Sequence, residues 1–361
     1  MRLAFVGDIA LGDHPKTVGF GFRSRYPRGI PLTLARRLLP PGPAPDLLFG
    51  NLEFCLGSDP ATAGGGAAHQ CRGIDQYAGF LASAGVTVLN VANNHSAQHG
   101  HSAFWATAEL CRRSGIAVVG TTADFTAAAV IQIGGRRIAF LGWSDRPRQY
   151  APEAPPYNEF GHPAYDLIRQ ARQRADFVVV SIHWGEEFVQ MPTDRERHIA
   201  HAAIDAGASI VVGHHPHVLR EVEEYAQGLI AYSLGNFVGD MTWNPHTRLG
   251  GCLLVEANGA DIRSHRLALS RIDADYLPTY LSESDAVRAV GRLEHQRQRQ
   301  RERIARRGYA RAAAAEHRRQ VWATAVMMLR NFHRYPRGTL LPMLRGAFRN
   351  RMRSQAGTGP L

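Results

Sequence analysis

Short apolar runs alternate with longer amphipathic ones from Leu3 to Val255. Leu3–Gly7, Asp46–Phe49, Val86–Val91, Arg137–Gly142, Phe177–Ile182, Ser209–Val212, Leu229–Ser233 and Cys252–Val255 are dominated by aliphatic, β-branched or aromatic residues, and turn formers bound them. They predict buried strands. Tyr77–Ser83, Phe104–Arg113, Tyr165–Arg174 and Glu196–Ala206 have helical spacing. The alternation predicts an α/β domain of packed layers, and no internal repeat is visible.

Two stretches follow neither period. Gly57–Gly73, with its Ala-Gly-Gly-Gly-Ala-Ala run, reads as a long loop of the kind that covers or lines a site. Asp145–His162 carries four prolines and is predicted to wrap the surface. Beyond about Ser270 the character changes: Ser284–Ala314 is rich in Arg, Gln and Ala, and Val321–Met352 mixes Trp322, Leu329 and Phe332 with arginines. The expected organisation is one domain over residues 1–270 and a basic, mostly helical extension over 271–361.

Charge sharpens that division. The 361 residues carry a net +11, yet Gly291–Leu361 alone holds seventeen Arg and three Glu, which is +14 and leaves the remainder at −3. A nucleic-acid role would therefore rest on the tail, which has no recognisable binding module. Cys55, Cys71, Cys111 and Cys252 form no CxxC pair, which excludes a zinc ribbon and points to reduced thiols. The opening MRLAFVGD is too short for the core of a signal peptide, and Val321–Leu329 is far short of a membrane span. These features predict a cytoplasmic protein.

Several predicted strands end in chemically competent residues, where open α/β sheets gather ligands. Carboxylates, amide oxygens and imidazoles suit Mn, Zn or Fe, and a two-metal centre clamps the attacking and leaving oxygens of a hydrolysed bond. The strand ends offer Asp8, Glu53, Asn94, His183, His215 and His217 in that order.

The blocks GDIALGD, GNLEFCL, VANNHS, SIHWGEEF, VVGHHPHV and YSLGNFVGD resemble those of the CapA family of poly-γ-glutamate and capsule synthesis, over roughly Met1 to Ser270. That family is similar in fold to the calcineurin-like metallophosphoesterases, so the resemblance implies a four-layer α/β/β/α sandwich. It further implies two divalent ions (Mn, Zn or Fe) and hydrolysis by a hydroxide held on them. Asp8 and His217 would bind the first ion and Asn94, His183 and His215 the second, with Glu53 bridging. His95 would protonate the leaving group. Glu186 would orient an imidazole, while Asn93 and Asn236 would line the cleft. The sequence departs from the superfamily pattern at Ala10, where a histidine often stands, and at Ser96–Gly100, where His99 could be an extra ligand, support one or play no part in the site. His214 is expected to be structural, Tyr232 and Phe237 to be strand and turn residues, and His14 a surface or packing residue.

The implied setting is production of an anionic polymer, with that polymer or a phosphoester as substrate. For the tail, three readings stand: a solvated basic helix, an amphipathic segment on the anionic inner face of the membrane or on a polymer synthase there, and packing against the body or another subunit. Two further functions stay open: a non-catalytic polymer-binding or assembly subunit, and a phosphodiesterase acting on nucleic acid.

Overall fold

The computed structural model of the chain describes residues 1–57, 70–124, 128–150 and 153–338. In chain order its strands are β1 (Arg2–Ile9), β2 (Leu47–Leu52), β3 (Cys55–Leu56), β4 (Arg72–Gly73), β5 (Val86–Asn90), β6 (Ala117–Val119), β7 (Ala129–Ile133) and β8 (Arg136–Ser144). They continue as β9 (Phe177–His183), β10 (Ile210–His214), β11 (Val222–Tyr225), β12 (Gly228–Ala231), β13 (Asn236–Val238), β14 (Leu249–Asn258), β15 (Asp261–Ile272) and β16 (Pro278–Tyr280). The helices are α1 (Phe22–Arg25), α2 (Gln76–Ser83), α3 (Gly100–Arg113), α4 (Pro163–Arg174), α5 (Asp194–Asp205), α6 (Glu283–Arg307) and α7 (Tyr309–Arg330).

Two sheets form the body. One runs β16-β15-β14-β1-β2-β5-β6, with β13 also pairing β1, and the other runs β11-β12-β10-β9-β8-β7. Alternation along each strand explains the layering. Leu3 and Phe5 of β1, Phe49 of β2, Phe140 of β8 and Val179 of β9 meet between the sheets. Ala4 and Val6 point the other way, into a cluster with Phe80, Leu81 and Phe104 of α2 and α3. On the outside of the second sheet Val178 and Val180 pack with Ile168 of α4 and Ile199 of α5. Both faces of the central strands are thus buried, which is why they read as continuous apolar runs. The result is the four-layer α/β/β/α sandwich that the resemblance implied.

The edge strands β7 and β11, and β15 beside the short edge strand β16, were not legible as apolar runs, because each alternates with exposed positions. The division expected at 270/271 falls inside β15, and the first sheet continues to Tyr280. Most of the Gly57–Gly73 loop lies outside the described residues. Its ends pair as β3 and β4.

The tail neither stands free nor lies wholly in solvent. α6 and α7 form a hairpin that buries Leu293, Gln296, Gln300, Ala312, Glu316, Gln320 and Met327. Gln190 of the body donates through its backbone N–H to Gln300 (2.9 Å) and through Nε2 to Gln296 (3.1 Å). Among the described residues no helix is long and apolar enough to cross a membrane.

Candidate metal centre

The site forms where the carboxyl ends of β1, β2, β5, β9 and β10 converge. Close backbone approach starts it. A Cβ on Gly7 would lie 1.8 Å from the Gly235 carbonyl oxygen, and Gly235 itself has φ +68°. Only glycines let β1 and the start of β13 come this near, and the Asp8 N–H donates to Gly235 O at 2.9 Å. That registers Asp8 opposite Asn236.

Asn236 then sets one imidazole. Its Nδ2 donates to the Thr247 carbonyl (3.0 Å), so its Oδ1 faces His217 Nδ1 at 2.8 Å. An amide oxygen only accepts, so His217 carries its proton on Nδ1 and turns Nε2 toward Glu53 Oε1, 3.4 Å away. The backbone is bent to serve this. His215 has φ +95°, His217 +56° and the facing Phe188 +66°, conformations that cost side-chain-bearing residues free energy and concentrate at functional sites.

Three overlapping ligand groups result, each with its ligand atoms within 4.8 Å of one another: Asp8, Glu53 and His217; Glu53, His183 and His215; and Glu187, His215 and His217. Glu53 belongs to the first two. The fit to divalent cations rests on orphaned atoms. Glu53 Oε1 and both ring nitrogens of His215 are buried and make no hydrogen bond among the described residues. Such groups are costly unless something binds them. The first group is assembled without any side chain beyond Cβ at residue 10; Ala10 instead packs with Phe54 and Cys71.

The other expected residues fall into place around this core or away from it. Asn94 turns Oδ1 to His183 Nε2 (2.8 Å), while Asn94 Nδ2 donates to Gln149 of the proline-rich loop (2.9 Å). Asn93 supports the NNH turn by donating to Leu52 O (2.9 Å) and accepting from the His95 N–H (3.1 Å). His95 lines the cleft with its Nδ1 on Gln98 Oε1 (2.8 Å) and its ring against Phe54 and Tyr150. One placement differs from expectation, and one of the readings left open for His99 is chosen. Glu186 faces Arg146 (3.3 Å) with its side chain 54% exposed, and it is the next residue, Glu187, that approaches the imidazoles. His99 Nε2 lies 2.7 Å from Gln70 O and ties down that segment, away from the ligand groups.

Sequence reasoning also passed over several contributors. His214, expected to be merely structural, is fully buried with Nδ1 3.4 Å from Asp8 Oδ1. Asn51 donates to Asp8 Oδ1 at 2.9 Å and is itself held by Asn90 at 3.1 Å. His14 lines the cleft, with its ring against Trp243. The available signals were the uninterrupted GNLE and GHHPH strings and the second Gly-Asp just before His14. Tyr232 and Phe237 are buried, and the Tyr232 hydroxyl donates to Glu223 (2.8 Å).

Electrostatics follow from burial of like and unlike charges. Burial pushes Asp8 up, but His214 and His217 outweigh it and hold its carboxyl well below the usual range. Burial raises Glu53 far above an ordinary carboxylate. His217 is raised despite burial, by Glu53 and Asp8. Burial lowers His183, His215 and His95, leaving them neutral at pH 7.

The profile of the bacterial capsule synthesis protein family PGA_cap matches residues 2–241. The chain is 32% identical over 269 residues to the capsule biosynthesis protein CapA of Bacillus anthracis, covering 71% of this chain and 63% of that one. It is 36% identical over 198 residues to the PGA biosynthesis protein CapA of Bacillus subtilis, covering 52% and 50%. The matched stretches thus span between half and two thirds of those relatives. Among solved structures, a hypothetical protein of Thermus thermophilus aligns at TM-score 0.44 and 17% identity, over 74% of this chain and 98% of that one.

Proposed function

This chain belongs to the PGA_cap family of bacterial capsule synthesis proteins, and we propose that it serves capsule or poly-γ-glutamate-type polymer production as a metal-dependent hydrolase. The observation that carries this reading is the pair of ligand groups joined through Glu53. Asp8, Glu53 and His217 would hold one divalent cation, and Glu53, His183 and His215 the other, with Glu187 in reach of His215 and His217. Divalent cations in such a site polarise the scissile bond and make water acidic enough to attack at neutral pH.

The chain's own groups supply the rest. Asn236 holds a proton on His217 Nδ1, so that Nε2 is the nitrogen left to coordinate once its own proton is displaced. Gln98 does the same for His95, whose Nδ1–H is engaged and whose Nε2 edge is left for substrate. His95 is neutral in the resting protein, so it can receive a proton as an anionic substrate arrives and pass it to the leaving oxygen or nitrogen. Tyr150 and Phe54, packed on its ring, fix its orientation.

A second contact concerns the tail. On α7, Trp322 and Leu329 are each 74% exposed and lie on the outward side with Arg318 and Arg330 near them. Apolar residues flanked by cations suit an anionic lipid surface or a polymer synthase on it.

The test is elemental analysis of the purified chain together with hydrolysis of bis(4-nitrophenyl) phosphate and of γ-glutamyl-4-nitroanilide. The expected result is two equivalents of metal and turnover of one substrate that falls at least a hundred-fold in His95→Gln. Metal without turnover of any phosphoester, ester or amide would replace the hydrolase by a polymer-binding subunit. Protein that takes up no metal would remove the basis of the reading.

A further inference from the structure

The profile that marks the family ends at residue 241, yet the cleft over the ligand groups is completed by residues far beyond it. A cavity of about 440 Å³ opens onto Glu53, Glu187, His95 and His217. Its opposite wall is α7, which presents Val321, Ala325 and Met328, and the body adds Phe54, Met241 and Trp243. The wall is docked rather than draped. Asn244 donates to Gln320, the Tyr335 hydroxyl donates to Lys16 O (2.5 Å), and Met327 packs with Phe20 and Tyr335. The His317 ring stands 6.2 Å from that of Phe188, beside Glu187.

The charge pattern is informative. Among the described residues no arginine lines this cavity, although the tail is the most arginine-rich part of the chain, and Lys16 is its one lysine. A cleft shaped for a polyanion along its whole length would carry those cations inward. Here the arginines lie elsewhere, Arg297 buried on α6 and Arg299, Arg303 and Arg319 around a separate cavity, while Val321, Ala325 and Met328 of α7 line this one.

We propose that α7 builds an apolar subsite beside the cation centre, so that the cleft takes an amphiphilic substrate: an anionic or acyl group placed on the cations and an aryl or alkyl group adjoining the scissile bond, seated against Val321, Ala325 and Met328. This rests on the cation-centre reading above and narrows it. The volume falls in the range of small-molecule sites, enough for a ring or short chain and not for a folded partner. Cleavage would separate the apolar leaving group from the anionic one. Water adds to the phosphorus or carbonyl carbon, the bond to the leaving oxygen or nitrogen breaks, and that atom takes up a proton.

The experiment compares phenylphosphonate with methylphosphonate by calorimetry on the full chain loaded with Mn²⁺. The wild type is expected to bind the phenyl compound about ten-fold more tightly, as burial of a ring against aliphatic side chains gives. Ala325→Trp, which fills the subsite from the α7 side, should abolish that preference and leave methylphosphonate affinity and melting temperature unchanged. Equal affinities in the wild type, or a preference that survives Ala325→Trp, would overturn the proposal. If neither phosphonate binds, the cation-centre reading is what fails. The subsite is then decided by 1-anilinonaphthalene-8-sulfonate on metal-free protein. Fluorescence enhancement lost in Ala325→Trp sustains it, and enhancement equal in both proteins refutes it.

Discussion

Arg220→Met perturbs a buried ion pair that holds one rim of the site. The Arg220 side chain is fully buried and pairs with Glu196, whose side chain is 3% exposed. Arg220 also donates from Nε to Val189 O (2.8 Å) and from Nη2 to Glu186 O (3.2 Å), bracketing the segment that carries Glu187 and Phe188. Glu196 in turn closes the capping box of α5 with Thr193. Methionine keeps the volume and removes every donor. It strands the Glu196 charge in a dry site, a loss of about 3–5 kcal/mol, or about 6–10 °C in melting temperature for a chain of this size. Loosening the Glu187 segment should also weaken Mn²⁺ binding about ten-fold, as loss of a group supporting a ligand does. Scanning calorimetry on the full chain, with and without Mn²⁺, reads both effects. Glu196→Gln keeps the capping interaction and removes the charge, so Arg220→Met/Glu196→Gln should recover about half of the lost stability. A single variant melting within 2 °C of wild type (roughly 1 kcal/mol), or single-variant losses that simply add, would refute the reasoning.

Other perturbations probe the centre and the strand approach that builds it. Glu53→Gln should lower metal content below one equivalent, because both groups share Glu53, whereas His183→Ala should keep the ion held by Asp8 and His217; elemental analysis distinguishes the two. In the metal-free protein His217 is raised to about 10 and Glu53 to about 8, so both hold at neutral pH a proton that a cation must displace. Mn²⁺ affinity should therefore climb at least about ten-fold per pH unit between pH 6 and 8, with proton release visible as a dependence of the calorimetric heat on buffer ionisation; a flat profile would show the charge states to be wrong. Gly7→Ala drives a Cβ into the Gly235 carbonyl at 1.8 Å and should cost at least about 3 kcal/mol in a denaturant melt. Gly79→Ala meets nothing within 4 Å on α2 and should stabilise by about 0.5–1 kcal/mol.

How much was legible beforehand depended on the range of the signal. The central strands and the helices α2 to α5 were readable because burial on two faces, or on one stripe, writes a period into neighbouring residues. The chemistry at their ends was readable as strings such as GNLE and GHHPH, since strand ends deliver consecutive polar residues to one rim. Which member of a string faces inward was not readable. Glu187 rather than Glu186 turns to the imidazoles, and His214 reaches Asp8, because a one-residue step reverses a side chain's direction and positive φ at His215 and His217 breaks the alternation. The strings alone thus determined a layered α/β body with a polar rim of carboxylates, amides and imidazoles. Tertiary packing decided the remainder. Glu53 became common to two ligand groups because β1, β2, β9 and β10 end at one level, and α7 became a wall of the cleft because Gln190 and Asn244 hold its hairpin there. Contacts between residues dozens to hundreds of positions apart leave no local period, so only the folded chain displays them.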